Sequence, residues 1–112
     1  MHELGITRNI VAIVGDAAKD QRVGRVTLEV GKLSGVMTNA IAFCFDVVAK
    51  GTPLEGATLH IVEVDGRARC NGCGGEYTMA TLYTACPCGS RDVVRLAGEE
   101  LNIKSFEYRE MA

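Results

Sequence analysis

The sequence predicts an α+β fold in which two helices pack on one small mixed β-sheet, with a cysteine-rich module inserted between the second and last strands. Two segments carry apolar residues at helical spacing, and three others have the alternating or β-branched character of strands. Four of the five cysteines lie between residues 70 and 88, in a stretch with few large apolar side chains. These observations together indicate one globular unit with a small insert that its cysteines stabilise.

The first helix is predicted from an apolar stripe near the chain start. Its members fall on one face of a 3.6-residue period: Ile6, Ile10, Ile13, Val14 and Ala17. The opposite face carries polar side chains, and the polar stretch KDQRVG closes the helix. One side of this helix is therefore expected to pack on the sheet.

Three segments have strand character. Residues 25–30 alternate, so that Val26, Leu28 and Val30 would face a core while their neighbours face solvent. Residues 57–64 are rich in β-branched side chains, which favour strands. Residues 101–110 alternate again, and we expect this last strand to return and pair with the first part of the chain.

The second helix is predicted to begin at an N-cap, Thr38 or Asn39, and to run to about residue 50. Its apolar stripe consists of Ile41, Cys44, Phe45 and Val48. The stop signal Gly-Thr-Pro follows at residues 51–53. On this stripe, Cys44 is most simply a small core residue.

Composition and charge exclude several classes of protein. The chain has 112 residues, of which 47% are hydrophobic and 23% charged, as in a folded globular domain. Its formal net charge of −2 argues against a nucleic-acid-binding protein, which carries an excess of Lys and Arg. No apolar run approaches the ~20 residues of a membrane helix, and the start lacks the basic segment of an export signal. We therefore expect a cytoplasmic protein with no membrane or nucleic-acid partner.

The clustered cysteines indicate a structural zinc site. Cys70 and Cys73 form a CxxC pair, and Cys86 and Cys88 follow with one residue between them. A tight turn directs two thiolates at one ion, and two such turns complete the tetrahedron of a zinc ribbon. Four protein thiolates leave no position for water, which is typical of structural rather than catalytic zinc.

Other interpretations of the cysteines remain open on spacing alone. They could form two disulfides or stay as surface thiols without a metal, although a reducing cytosol favours metal binding. The one-residue gap makes Cys88 the least certain ligand. His60 is a possible substitute, but a lone histidine in a strand is more often exposed or hydrogen-bonded.

The chain start offers a second candidate metal site. His2 follows the initiator methionine, so an α-amine, backbone amides and an imidazole lie close together. A nitrogen-rich tetragonal set suits Ni(II) or Cu(II), and Glu3 adds a carboxylate as ligand or hydrogen-bond acceptor. The simpler alternative is a polar, poorly ordered terminus.

Taken together, several segments resemble the HypA/HybF family of hydrogenase maturation factors over essentially the whole chain. They are the Met1-His2-Glu3 start, the CxxC pair, the CPCGS segment and the tail ELNIKSFEYRE. The resemblance implies a nickel metallochaperone rather than an enzyme. It also implies a GTPase partner of the HypB type and delivery of nickel to the large subunit of nickel–iron hydrogenase, with urease served by some members.

The resemblance also implies roles for individual residues. Nickel would be bound by the amine of Met1, the imidazole and backbone nitrogen of His2, and the backbone nitrogen and carboxylate of Glu3. Structural zinc would be bound by the four clustered cysteines: Cys70, Cys73, Cys86 and Cys88. The sequence departs from the family pattern in two places, because the usual CPxCGS is shortened to CPCGS, and Asn39 stands where some members have an acidic residue.

The resulting expectation is a nickel-binding α/β domain formed by residues 1–65 and 96–112, with a zinc-ribbon domain at 66–95, in a monomer or weak homodimer. One alternative is a zinc-ribbon adaptor that binds other proteins and has no nickel function. A metal-dependent hydrolase is the other, and the four-thiolate site disfavours it. The chain also lacks a Gly-rich phosphate loop and a nucleophile–base pair.

Overall fold

The structure, a computed structural model, describes residues 2–110 and contains two helices and six strands within them. In chain order these are α1 (Glu3–Ala18), β1 (Val23–Gly31), α2 (Thr38–Val48), β2 (Thr58–Val64), β3 (Gly66–Cys70), β4 (Glu76–Met79), β5 (Val93–Ala97) and β6 (Leu101–Tyr108). Met1, Met111 and Ala112 lie outside the described residues.

The first sheet has the strand order β2-β1-β6 and is mixed, as predicted. β1 pairs with β2 in parallel and with β6 in antiparallel orientation. A parallel pair needs a crossover connection, which α2 provides. The alternation in β1 is confirmed, since Val26, Leu28 and Val30 are almost completely buried. β6, from the C-terminal part of the chain, pairs with the side of β1 that β2 leaves free and completes the first sheet.

Helix α1 buries a face that differs in part from the predicted stripe. Ile10 and Val14 are buried as expected, but Ile13 is 58% exposed, and Val11 takes its place in the core. Ala17 is exposed, whereas Ala18 is fully buried. The difference amounts to a rotation of the helix, set by how it packs against α2 and the sheet.

Helix α2 begins at Thr38 with Met37 as its N-cap residue, and no side chain of the cap bonds back to the helix. The prediction that Thr38 or Asn39 caps the helix is therefore wrong. Ile41 and Phe45 are buried as predicted, while Cys44 and Val48 are only half-buried. Cys44 thus lies at the margin of the core rather than inside it.

The second sheet carries the cysteine-rich module and has the strand order β4-β3-β5, with antiparallel pairing throughout. Its strands extend from Gly66 to Ala97, two residues beyond the predicted end of the module. Its small core is separate from that of the first sheet. The residues of that core are Leu33, Ala68, Cys70, Tyr77, Met79 and Cys86.

Leu33 is the member of this core that comes from outside the module. It lies two residues after β1, in the connection to α2, and it is 8% exposed. Its backbone N–H donates to the carbonyl of Gly98 at 2.7 Å, and the N–H of Gly31 donates to that of Glu100 at 2.7 Å. A side chain on Gly31 would collide with the carbonyl of Gly98. The two sheets are therefore joined by close backbone contacts and by one apolar side chain.

Replacing Leu33 by alanine is expected to destabilise the second sheet more than the first. The substitution removes a large share of a small apolar core, and such deletions cost about 2 kcal/mol or more. Leu82→Ala is the matched control, because Leu82 belongs to the same module and is 43% exposed. Hydrogen exchange should show faster opening of β3 and β4 in Leu33→Ala only. Equal protection in the two variants would contradict the role given to Leu33.

Candidate metal sites

The four clustered cysteines converge on one point at the end of the second sheet. Their sulfur atoms all lie within 4.8 Å of one another. Cys70 and Cys88 are separated by 3.7 Å between Sγ atoms, and Cys73 and Cys86 by 3.6 Å. A tetrahedral ion with Zn–S bonds near 2.3 Å places its sulfur ligands about 3.8 Å apart. The geometry and the donor set therefore fit a single zinc ion held by four thiolates.

The first pair is presented by a tight turn after β3. The N–H of Gly74 donates to the carbonyl of Cys70 at 2.9 Å, and Gly74 has a positive φ of 76°, a conformation that glycine adopts without strain. Backbone N–H groups of Gly72 and Cys73 point at Cys70 Sγ from 3.3 and 3.5 Å. These donors favour the thiolate form that a metal needs.

The second pair comes from the shortened turn. The N–H of Gly89, at a φ of 95°, donates to the carbonyl of Cys86 at 2.7 Å, and the N–H of Cys86 donates to the carbonyl of Ser90 at 3.0 Å. This closed turn brings Cys88 to the cluster despite its one-residue spacing. The structure does not bring His60 there, because His60 lies on β2 of the first sheet, opposite Thr27.

The clustered thiols differ in pKa. Hydrogen bonds from the backbone N–H of Cys73 and then of Gly72 lower the pKa of Cys70 to about 6. The backbone N–H of Cys88 lowers the pKa of Cys86, but burial and the hydrogen bonds with the three neighbouring thiols outweigh it and raise that pKa to about 12. One thiol thus ionises near neutral pH while another holds its proton, so a cation is needed to hold four thiolates together.

Of the four clustered cysteines, Cys70 and Cys86 are buried, and Cys73 and Cys88 are exposed. In the zinc-loaded protein, we expect Cys88 to be alkylated first, because it is exposed and lies in the shorter turn. Limiting iodoacetamide with mass-spectrometric mapping measures the order. Modification of Cys70 or Cys73 ahead of Cys88 would contradict this expectation.

The chain start is the second candidate site. His2 is exposed and is the N-cap residue of α1, with its carbonyl accepting the N–H of Ile6 at 3.0 Å. The first N–H groups of a helix have no acceptor within the helix. The backbone nitrogens of His2 and Glu3 can therefore bind an ion without breaking a helical hydrogen bond. The predicted ligand Met1 lies outside the described residues.

Glu3 makes a contact that the sequence did not reveal. Its Oε2 atom accepts a hydrogen bond from the backbone N–H of Met37 at 3.1 Å. This bond lowers the pKa of the Glu3 carboxyl group, so the carboxylate is favoured. Asn39 is exposed in the first turn of α2, two positions after Met37. The chain start thus lies against the beginning of the second helix.

Comparison with known protein families gives a match over nearly the whole chain. Residues 1–108 match the family model described as "Hydrogenase/urease nickel incorporation, metallochaperone, hypA". The hydrogenase maturation factor HypA of Nostoc punctiforme is 53% identical over 111 residues, which cover 99% of this chain and 98% of that protein. The HypA of Geobacter sulfurreducens is 44% identical over 108 residues, which cover 96% of this chain and 98% of that protein.

Solved structures share the fold. The solution structure of a HypA protein superposes with a TM-score of 0.69 at 23% identity, covering 97% of each chain. The solution structure of the nickel metallochaperone HypA from Helicobacter pylori gives a TM-score of 0.66 at 23% identity, covering 96% of this chain and 97% of that one. Neither helix within residues 2–110 is long and apolar enough to cross a membrane.

Proposed function

Since the chain belongs to the HypA family of metallochaperones for nickel incorporation, we propose that its first residues carry the nickel ion and that its four clustered cysteines hold a structural zinc ion. The family match over residues 1–108 is the observation that carries the proposal. As a maturation factor, the protein serves nickel incorporation into hydrogenase. The same match decides against a zinc-ribbon adaptor without a nickel function.

Nickel is assigned to Met1, His2 and Glu3 on the chemistry of their nitrogens. The α-amine, the backbone nitrogens and the His2 imidazole are nitrogen donors of the kind that Ni(II) prefers in tetragonal sites. The exposure of His2 and its place ahead of the helix support this assignment, because the ion can be loaded and released without unfolding α1. A transient cargo needs such an accessible site.

Zinc is assigned to Cys70, Cys73, Cys86 and Cys88 on their number and spacing. Four thiolates satisfy a tetrahedral ion completely, so no position remains for a substrate or a water nucleophile. Two of the four are buried in the core of the second sheet, which ties the ion to folding. We accordingly propose that the protein is not an enzyme.

The partners follow from the carrier role. We propose a GTPase of the HypB type as the partner in nickel handling and the large subunit of nickel–iron hydrogenase as the destination, with urease as a second destination. The cytoplasm is the proposed location, because a reducing compartment keeps the four clustered thiols free to bind a metal. The proposed unit is a monomer or weak homodimer.

Capture of the GTPase tests the carrier role. We expect the untagged, zinc-loaded protein immobilised through a surface lysine to retain a HypB-type GTPase from the same organism, and to retain it also without nickel, since docking precedes transfer. Protein stripped of zinc is the control, because its binding of the GTPase shows whether a folded second sheet is needed. Failure of the zinc-loaded protein to bind the GTPase at micromolar concentration would contradict the proposed partner.

A further inference from the structure

The hydrogen bond between Glu3 and Met37 joins the beginnings of the two helices. α1 begins at Glu3 and α2 at Thr38, yet the bonded residues are 34 positions apart in the chain. Met37 is the N-cap residue of α2, and no side chain of its own segment caps that helix. Glu3 thus occupies the place that a glutamate takes in a capping box, where it accepts the N–H of the N-cap residue.

The backbone of Glu3 is fixed as well as its side chain. Thr7 is completely buried, and its Oγ1 donates to the carbonyl of Glu3 at 2.7 Å. The carbonyl of His2 accepts the N–H of Ile6 at 3.0 Å. The first turn of α1 is therefore held from both sides, by Thr7 within the core and by Met37 across to α2. The amide nitrogen of Glu3 and the side chain of His2 take no part in these bonds.

We propose that the Glu3 carboxylate is a positioning group that acts through the N–H of Met37 and is not itself a nickel ligand. By anchoring the first turn of α1 to the first turn of α2, it presents the nitrogens of His2 and Glu3 to the ion in a fixed arrangement. The proposal rests on the proposed function, because it assumes that nickel binds at the chain start. Ni(II) prefers nitrogen donors, and the Glu3 carboxylate is already engaged by the N–H of Met37.

The anchor improves affinity through preorganisation. Without it, the first turn of α1 would fray, and binding would have to order it again at an entropic cost. A hydrogen bond to a charged group contributes enough for its loss to weaken nickel binding about tenfold. Two chemically different changes should produce this same loss: removal of the acceptor on Glu3 and removal of the donor on Met37.

Four variants distinguish whether the Glu3 carboxylate anchors the helix or binds nickel itself. Glu3→Ala removes the acceptor, whereas Glu3→Gln keeps a carbonyl oxygen that can still accept the N–H of Met37. Met37→Pro removes the donor, and its φ of −86° is close to the value that proline imposes. Thr38→Pro is the matched control, since proline is favoured at the first helical position and the ψ of 107° at Met37 suits a residue before proline.

The experiment titrates Ni(II) into untagged, zinc-loaded protein and measures amide exchange at residues 37–41 in the same variants. We expect Glu3→Ala and Met37→Pro to weaken nickel binding by the same factor and their combination to add nothing. Glu3→Gln should lose clearly less affinity than Glu3→Ala, because its neutral bond to Met37 is weaker but still present. Thr38→Pro should bind within about twofold of the unchanged protein. Amide exchange at the start of α2 should rise in Glu3→Ala.

A carboxylate ligand would give a different pattern, because Glu3→Gln would then lose as much affinity as Glu3→Ala while Met37→Pro lost none. That result overturns the proposal and leaves the chain-start site standing. Unchanged nickel affinity in His2→Ala overturns the chain-start site itself, and the proposal with it. Should Met37→Pro fail to fold, as judged by zinc content and circular dichroism, the comparison of Glu3→Gln with Glu3→Ala decides alone.

Discussion

Cys70→Ser is expected to lose zinc and to unfold the second sheet while the first sheet stays folded. Structural zinc contributes on the order of 10 kcal/mol to the folding of small modules at neutral pH. The second sheet has only a small core, of which Cys70 and Cys86 are themselves part. Without the ion, that core cannot offset the conformational entropy of the strands and loops between residues 66 and 97.

Zinc content measures the loss of the ion, and hydrogen exchange measures the unfolding of the second sheet. Zinc should fall from one ion per chain to a small fraction in Cys70→Ser, and amides of β3, β4 and β5 should lose protection while those of β1 keep most of theirs. Cys44→Ser is the matched control, because Cys44 is half-buried on α2 and lies outside the cluster. Stoichiometric zinc in a double Cys70→Ser/Cys73→Ser variant would disprove the assignment.

His2→Ala is expected to abolish specific nickel binding without unfolding the protein. His2 is exposed and precedes the first turn of α1, so its side chain contributes to the proposed site but not to the core. Extra residues in front of Met1 should have the same effect, because they remove the α-amine. Zinc content should stay unchanged in both cases, since the cysteine cluster belongs to the other sheet.

Titration of Ni(II) into untagged, tagged and His2→Ala protein checks this expectation. His60→Ala is the control, because His60 is an exposed histidine on β2. Affinity should rise with pH through the neutral range, since the α-amine and the backbone nitrogens must lose protons to bind. Equal affinity in all three proteins would remove the chain start as the nickel site.

Local patterns in the sequence predicted most of the elements correctly. Alternation identified β1 and its buried residues, and the two helices and the strands β2 and β6 lie within a few residues of their predicted bounds. The prediction of the buried face of α1 was only partly correct, since Ile13 is exposed and Val11 is buried. Ile13 belongs to the predicted stripe and Val11 lies beside it, and only packing against α2 and the sheet selects between them.

The cysteine cluster was predictable because its determinants are local. The CxxC spacing lets one tight turn direct two sulfur atoms at the same ion, and glycines at 74 and 89 permit the backbone conformations of both turns. The shortened second turn left Cys88 uncertain, because turn geometry depends on bonds such as that from the N–H of Cys86 to the carbonyl of Ser90. The structure supplies this closure and brings all four sulfur atoms together.

By itself, the sequence determined the α+β class, the order of the two helices and of the three strands of the first sheet, and the four-cysteine cluster, because each depends on local patterns. The family resemblance came from short motifs along the whole chain. The tertiary structure alone decided that Leu33 enters the core of the second sheet and that Glu3 binds the N–H of Met37. Neither contact has a local signature, since each joins segments far apart in sequence. Such contacts are fixed by how the helices and sheets pack, and packing is a property of the whole core.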